Sequence, residues 1–186
     1  MKNVNPQQSI SDNVFQLLRE KEVWKELSGD SDFPWNNDVI EKYADKLDWA
    51  ELCQNSGIYW NSNLIEKHKH KIDWAILSEN IINIRYQGNM NSDWSVIRKF
   101  KNDWDWQKLS VNIAGITEEI LDEFSEFWDW SKIINNYDIT WSYNMYEKHK
   151  NNFTITNLQD FQDSKLFKRI IELDTQILIA KILQEK

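Results

Sequence analysis

The stretch that decides the fold is residues 35–80, WNNDVIEKYADKLDWAELCQNSGIYWNSNLIEKHKHKIDWAILSEN. It holds two near copies of one pattern. Trp49 and Trp74 each follow an Asp, with a Leu three residues on (Leu52, Leu77) and an Asn six residues on (Asn55, Asn80). Trp35 and Trp60 each precede an Asn, and the apolar pairs Val39-Ile40 and Leu64-Ile65 follow at one offset. Self-similarity at a fixed period is the mark of a repeat architecture and outranks any local reading.

The register extends in both directions. Trp24, Trp49, Trp74, Trp106, Trp130 and Ile155 share one slot, separated by 25, 25, 32, 24 and 25 residues. Asp48, Asp73, Asp105 and Asp129 precede four of them, and Leu27, Leu109, Ile133 and Leu158 fill the slot three residues on. Ser28, Cys53, Ser78 and Ser110 follow as a small residue, and Asp30, Asn112 and Asn136 match Asn55 and Asn80. Later in each unit stands a good helix N-cap: Ser11, Asn36, Asn61, Asp93, Thr117 or Ser142. Apolar residues then fall at offsets 0, 1, 4 and 8, as in Leu64, Ile65, His68 and Ile72 or Val96, Ile97, Phe100 and Trp104. That spacing lies on one face of a helix, not of a strand. Charged pairs such as Glu41-Lys42 and Glu66-Lys67 occupy the opposite, solvated side.

Each unit therefore predicts a short helix A, opened by Asp-Trp, and a longer helix B. Asp48 and Glu51 have the spacing of a capping box. Helix A is expected to run about two turns and to end near the Asn or Asp six residues past its Trp, a residue type that tolerates the left-handed conformation. Neither helix buries its apolar stripe alone, so the expected fold is all-α: an α-solenoid of helix-pair repeats with a degenerate helical C-terminal cap. The expected organisation is a single helical repeat domain, 1–186. A half unit at 10–23 starts it, units begin at 24, 49, 74, 106, 130 and 155, and an insertion occupies 81–92. Leu166, Phe167, Ile170 and Ile177 in the Trp-free last unit read either as the cap of the stack or as a dimerisation surface. As a buried aromatic, Trp74 is expected to cost about 3–5 kcal/mol when truncated to Ala.

Composition narrows the function classes. The chain has 186 residues, 22 basic against 30 acidic, for a net charge of −8. Eleven Trp contrast with 4 Gly, 2 Pro and a single Cys, which excludes collagen-like, linker and disulfide-framework chains. The start, MKNVNPQQSISDNVF, lacks a signal-peptide core, and the most apolar run, Ile177 to Leu183, is far short of a bilayer span. A cytoplasmic location, in the host if the chain is phage-encoded, and no membrane are expected. The acidic balance disfavours direct nucleic-acid binding and suits a partner protein with a basic or nucleic-acid-binding groove. Single-stranded nucleic acid stacking on an exposed Trp35 or Trp94 ranks below that.

No catalytic constellation, metal site or cofactor is expected. His68 and His149 occupy the slot of Tyr43, Phe100 and Phe124 and read as packed aromatics, and Cys53 stands where other units have Ser. The carboxylates follow the repeat as caps and surface pairs. The insertion reads either as a tolerated loop or as a binding loop, because repeat insertions map to one face. Arg85 and Tyr86 inside it, with Trp94 and Arg98 just beyond, are the partner-binding candidates.

The unit Asp-Trp-x-x-Leu-Ser-x-Asn, followed by Trp-(Asn/Ser)-x-x-(Leu/Val)-Ile-Glu-Lys-(Tyr/His), resembles the tandem Trp-rich repeats of many bacterial, phage and large-DNA-virus proteins. The resemblance covers nearly the whole chain and brings no catalytic residues with it. The expectation is a non-enzymatic protein-protein interaction module that binds through an extended solenoid surface. The alternative is a phage- or mobile-element-encoded, anti-CRISPR-like inhibitor that blocks a bacterial immune nuclease.

Overall fold

The computed structural model of the chain describes residues 6–81, 94–155 and 157–184, with side chains from residue 13 onward. All regular structure among the described residues is helical. The helices are α1 (Pro6–Gly29), α2 (Asn37–Tyr43), α3 (Trp49–Gln54), α4 (Ser62–His68), α5 (Trp74–Glu79) and α6 (Trp94–Lys99). They continue with α7 (Trp106–Asn112), α8 (Glu118–Glu123), α9 (Trp130–Ile133), α10 (Tyr143–His149), a 3-10 turn (Lys150–Asn152), α11 (Leu158–Asp163) and α12 (Lys165–Gln184). The chain divides into two compact units, Met1–Ile84 and Arg85–Lys186. In the first, α1 packs on α3 and α3 on α5; in the second, α7 packs on α9 and α11 on α12.

Short polar side chains set the helix boundaries. A helix start leaves free N–H groups that a side-chain oxygen can accept. Asp48 accepts from the N–H of Ala50 and Glu51, both at 3.1 Å, and Asp73, Asp105 and Asp129 cap α5, α7 and α9 in the same way. Asn36, Asn61, Thr117 and Ser142 cap α2, α4, α8 and α10. Asp93 lies outside the described residues.

The apolar face predicted for helix B is the core. Leu64, Ile65 and Ile72 are buried, as are Val96, Ile97, Phe100 and Trp104, and Ile120, Leu121, Phe124 and Trp128. Helix A contributes Leu52, Leu77, Leu109 and Ile133, each fully buried.

Four local features differ from the simplest reading of the repeat. First, the segment 10–23 and the helix of Trp24 are one continuous helix, and Ser11 lies inside it. Val23 stands where four of the other units have Asp, so no cap interrupts the chain. Second, the helix-ending Asn residues do not use the left-handed conformation that they tolerate: Asn55 is extended (φ −72°, ψ 114°) and Asn80 has φ −100°. Third, Asp48 and Glu51 form no reciprocal box. The Asp48 N–H donates to Ser28 Oγ at 3.0 Å, and Glu51 pairs with Lys25 at 3.7 Å. Fourth, the last unit slips: helix α11 opens at Asn157 rather than beside Ile155, and Leu158 is 68% exposed where Leu52, Leu77, Leu109 and Ile133 are buried.

Candidate protein-binding surface

The repeats are joined by polar groups whose roles fix which surface stays free. Each half-buried Asp-Trp indole donates from Nε1 to the carbonyl five residues before it. The acceptors are Ala44 (2.8 Å), Lys69 (3.3 Å), Lys101 (2.8 Å) and Ser125 (3.0 Å), for Trp49, Trp74, Trp106 and Trp130. These carbonyls lie at or just past the ends of α2, α4, α6 and α8, where helical acceptors run out. These Trp residues are therefore hinges rather than the core spine. Trp60 and Trp141, each 1% exposed, and Trp104 and Trp128, each 5% exposed, are the core ones.

Buried Ser and Asn side chains link successive units. Ser28 Oγ donates to Trp24 O at 2.7 Å and accepts from Asp48 N–H at 3.0 Å. Ser110 repeats this with Trp106 O at 2.7 Å and Asp129 N–H at 2.9 Å. Cys53 occupies the same slot, fully buried; burial pushes its thiol up to about 12, opposed by the Asp73 backbone and reinforced by the Asp73 charge. Burial of this kind disfavours the reactive thiolate. The Asn55 amide donates to Ser28 O (2.8 Å) and Asp30 O (3.0 Å). The Asn136 amide donates to Ser110 O (3.1 Å), Val111 O (3.3 Å) and Ile113 O (3.0 Å).

Helix B of one unit is also paired to the next by charge. Glu20–Lys46 (3.2 Å), Glu41–Lys67 (2.7 Å) and Asp45–Lys71 (2.6 Å) run along the first unit. Lys71 holds the Asp45 carboxyl below its ordinary range by hydrogen bond and charge. In the second, Asp122 meets both Lys148 and, at 2.8 Å, His149 Nε2.

Of the predicted site residues, Arg85 and Tyr86 lie outside the described residues. Trp94 and Arg98 are one turn apart on α6, and both face the following repeat. Trp94 Nε1 donates to Gly115 O at 3.1 Å, and its ring stacks on Phe124 at 5.8 Å. Gly115 has φ 77°, a left-handed turn that suits glycine. Arg98 holds Glu123 through two bonds of 2.6 and 2.7 Å, which raises the guanidinium pKa and lowers that of the carboxyl. Both side chains thus serve the packing of their own unit.

What the sequence reading missed is a groove at the corners of the first unit. Trp35, Asn37, Asp38, Ile58, Tyr59 and Asn61 line a cleft of about 370 Å³ between the chain entering α2 and the chain entering α4. Tyr59 is 47% exposed. Trp35 is fixed by its Nε1 bond to Asp30 O (2.8 Å) and by Phe33 at 4.7 Å. A second cleft of the same unit, about 550 Å³, carries Glu26, Asp30 and Glu51 against a single Lys25. Aromatic faces beside carboxylates suit a basic side chain, which gains from the ring and from the charge.

Among the described residues, no group of three or more His, Cys, Asp or Glu is placed to hold a metal ion, and no helix is long and apolar enough to cross a membrane. No family model, curated protein or solved structure matches this chain.

Proposed function

We propose that the chain is a non-enzymatic protein-interaction module, an α-solenoid of Trp-rich helix-pair repeats that receives a basic segment of a partner protein. The observation that carries this reading is the corner groove of the first unit. There Tyr59 and Trp35 flank Asp38 in an open cleft, and Asp38 takes no part in the ion-pair ladder between repeats. A groove inside a nuclease or other nucleic-acid-binding protein presents the complementary charge, and an acidic binder competes for it.

Affinity capture with the full chain tests the reading, run beside an Asp38→Lys/Tyr59→Ala variant. The expected partner presents a basic surface. Its retention falls at least tenfold in the variant, and it is eluted as salt rises well above ~0.15 M, where surface charges are screened. Retention indifferent to both changes overturns the proposal. Recovery of an immune nuclease whose cleavage is blocked by the wild-type chain and not by the variant selects the inhibitor role. Arg85→Ala/Tyr86→Ala enters the same experiment as the separate test of the insertion: weaker binding with an unchanged melting temperature supports a second contact there, and unchanged binding removes it.

A further inference from the structure

The C-terminal helix α12 is anchored only along its first half. Leu166 is fully buried, its N–H donates to Ile134 O at 3.1 Å, and Phe167 packs on Phe161 at 5.4 Å. From Asp174 to Gln184 every residue is exposed. Ile177, Leu178, Ile179, Ile182 and Leu183 are each between 46% and 62% exposed. Five large aliphatics within two turns are costly to leave in water and mark an interaction surface.

The charges on this half of the helix specify the occupant. At about 100° per residue, Ile171, Leu178 and Ile182 form a strip about 130° around the helix from the one through Leu166, Ile170 and Leu173 that turns toward the helix's own unit. Asp174 and Lys181 line one edge of that strip, with Leu178 between them. Seven residues is about 10 Å of rise, too far for the two to pair within the helix. Neither has an ion-pair partner among the described residues. The two opposite charges stand symmetrically about the point between Ile177 and Leu178.

We propose that α12 is a self-association helix: two copies of the chain pair their α12 helices antiparallel, about a two-fold axis between Ile177 and Leu178. In that register Asp174 of each copy meets Lys181 of the other, so one operation makes two ion pairs. A two-fold interface must be self-complementary in this way. The parallel arrangement sets Asp174 against Asp174 and is disfavoured. The overlap runs from Ile171 to Gln184, so Lys165, Lys168 and Arg169 stay outside it and do not repel. An anionic lipid surface asks for cationic edges on both sides of the apolar strip, and here one edge carries an acid.

The test is the mass of the full chain in solution by sedimentation equilibrium, from about 1 to 200 µM, a range that brackets weak and tight association. Wild type is expected at twice its 22.4 kDa. Asp174→Lys and Lys181→Asp, both at exposed positions, each weaken association at least tenfold with unchanged helix content. The double exchange Asp174→Lys/Lys181→Asp restores it to within about threefold of wild type, since the pairs re-form with reversed sign. A wild-type monomer throughout the range overturns the proposal, whether or not the chain binds anionic vesicles. So does a dimer indifferent to the single changes, or a double exchange no better than the singles. Capture of a partner by the first unit's groove is read separately and is unaffected by these substitutions.

Discussion

His68 and His149 occupy one repeat slot and meet it differently. Both rings lie against the hinge Trp of their own repeat at 4.9 Å. His149 also reaches Asp122, whereas the buried His68 Nε2 has no hydrogen-bond partner. Burial, then the Lys67 charge, lowers the His68 pKa; Glu41 opposes this, and His70 and Lys71 add to it. A base whose folded pKa is lowered is neutral in both states above the unfolded value of about 6.5, so its stabilising effect is complete there. Below that value the unfolded chain takes up the proton first, and stability falls with pH. Urea unfolding at pH 7.5 and 5.5 should show a loss in wild type that His68→Phe reduces, because Phe fills the same slot as Phe100 and Phe124 and does not titrate. Equal losses in the two proteins would refute this. Asn136 carries a prediction of the opposite kind, independent of pH. Removing an amide that serves three carbonyls leaves buried acceptors unpaired, so Asn136→Ala should cost about 2–3 kcal/mol in the same assay.

At the scale of the helix, boundaries follow from which side chains cap them. Asp-Trp acts twice at one point: Asp opens helix A, and the indole N–H satisfies a carbonyl at the end of helix B. Trp130→Phe keeps an aromatic ring beside His149 but deletes the bond to Ser125 O and trims a half-buried indole, for an expected cost of about 1–3 kcal/mol. Trp74→Ala should cost less than the 3–5 kcal/mol of a buried aromatic, because Trp74 is half-buried. Thermal melts of the two variants check both numbers. This part of the fold was legible because capping residues and the 0, 1, 4, 8 stripe are local signals. The continuity of α1 was legible too, in Val23, but only by giving the missing Asp more weight than the apolar pattern. The exposure of Val14, Phe15 and Leu18 was not, because their spacing matches the buried faces of other units. Periodicity says which residues share a face, and tertiary neighbours decide whether that face is covered. The corner groove was hidden for the same reason: Trp35 and Trp60 look equivalent in sequence, yet one is half-buried at a cleft and the other is core.

At the scale of the molecule, each of the two compact units has its own core and its own ladder of charges, and the two are predicted to respond separately to damage. Exposed ion pairs of this kind contribute little singly, so the cores set the stability. Leu52 is fully buried between α1 and α5 on the central helix α3 of the first unit. Leu52→Ala should cost about 2–5 kcal/mol, by lost transfer energy and the cavity left behind. Amide hydrogen exchange locates that cost. Protection should fall across α2 to α5, where backbone bonds such as Leu77 N–H to Asp73 O depend on the same core. Protection across α7 to α10 should stay at the wild-type level, since Leu109, Leu121, Ile133 and Trp141 belong to the other core. A uniform loss over both units would mean that the chain unfolds as one cooperative body, and the damage from a single substitution would then reach the corner groove and α12 alike.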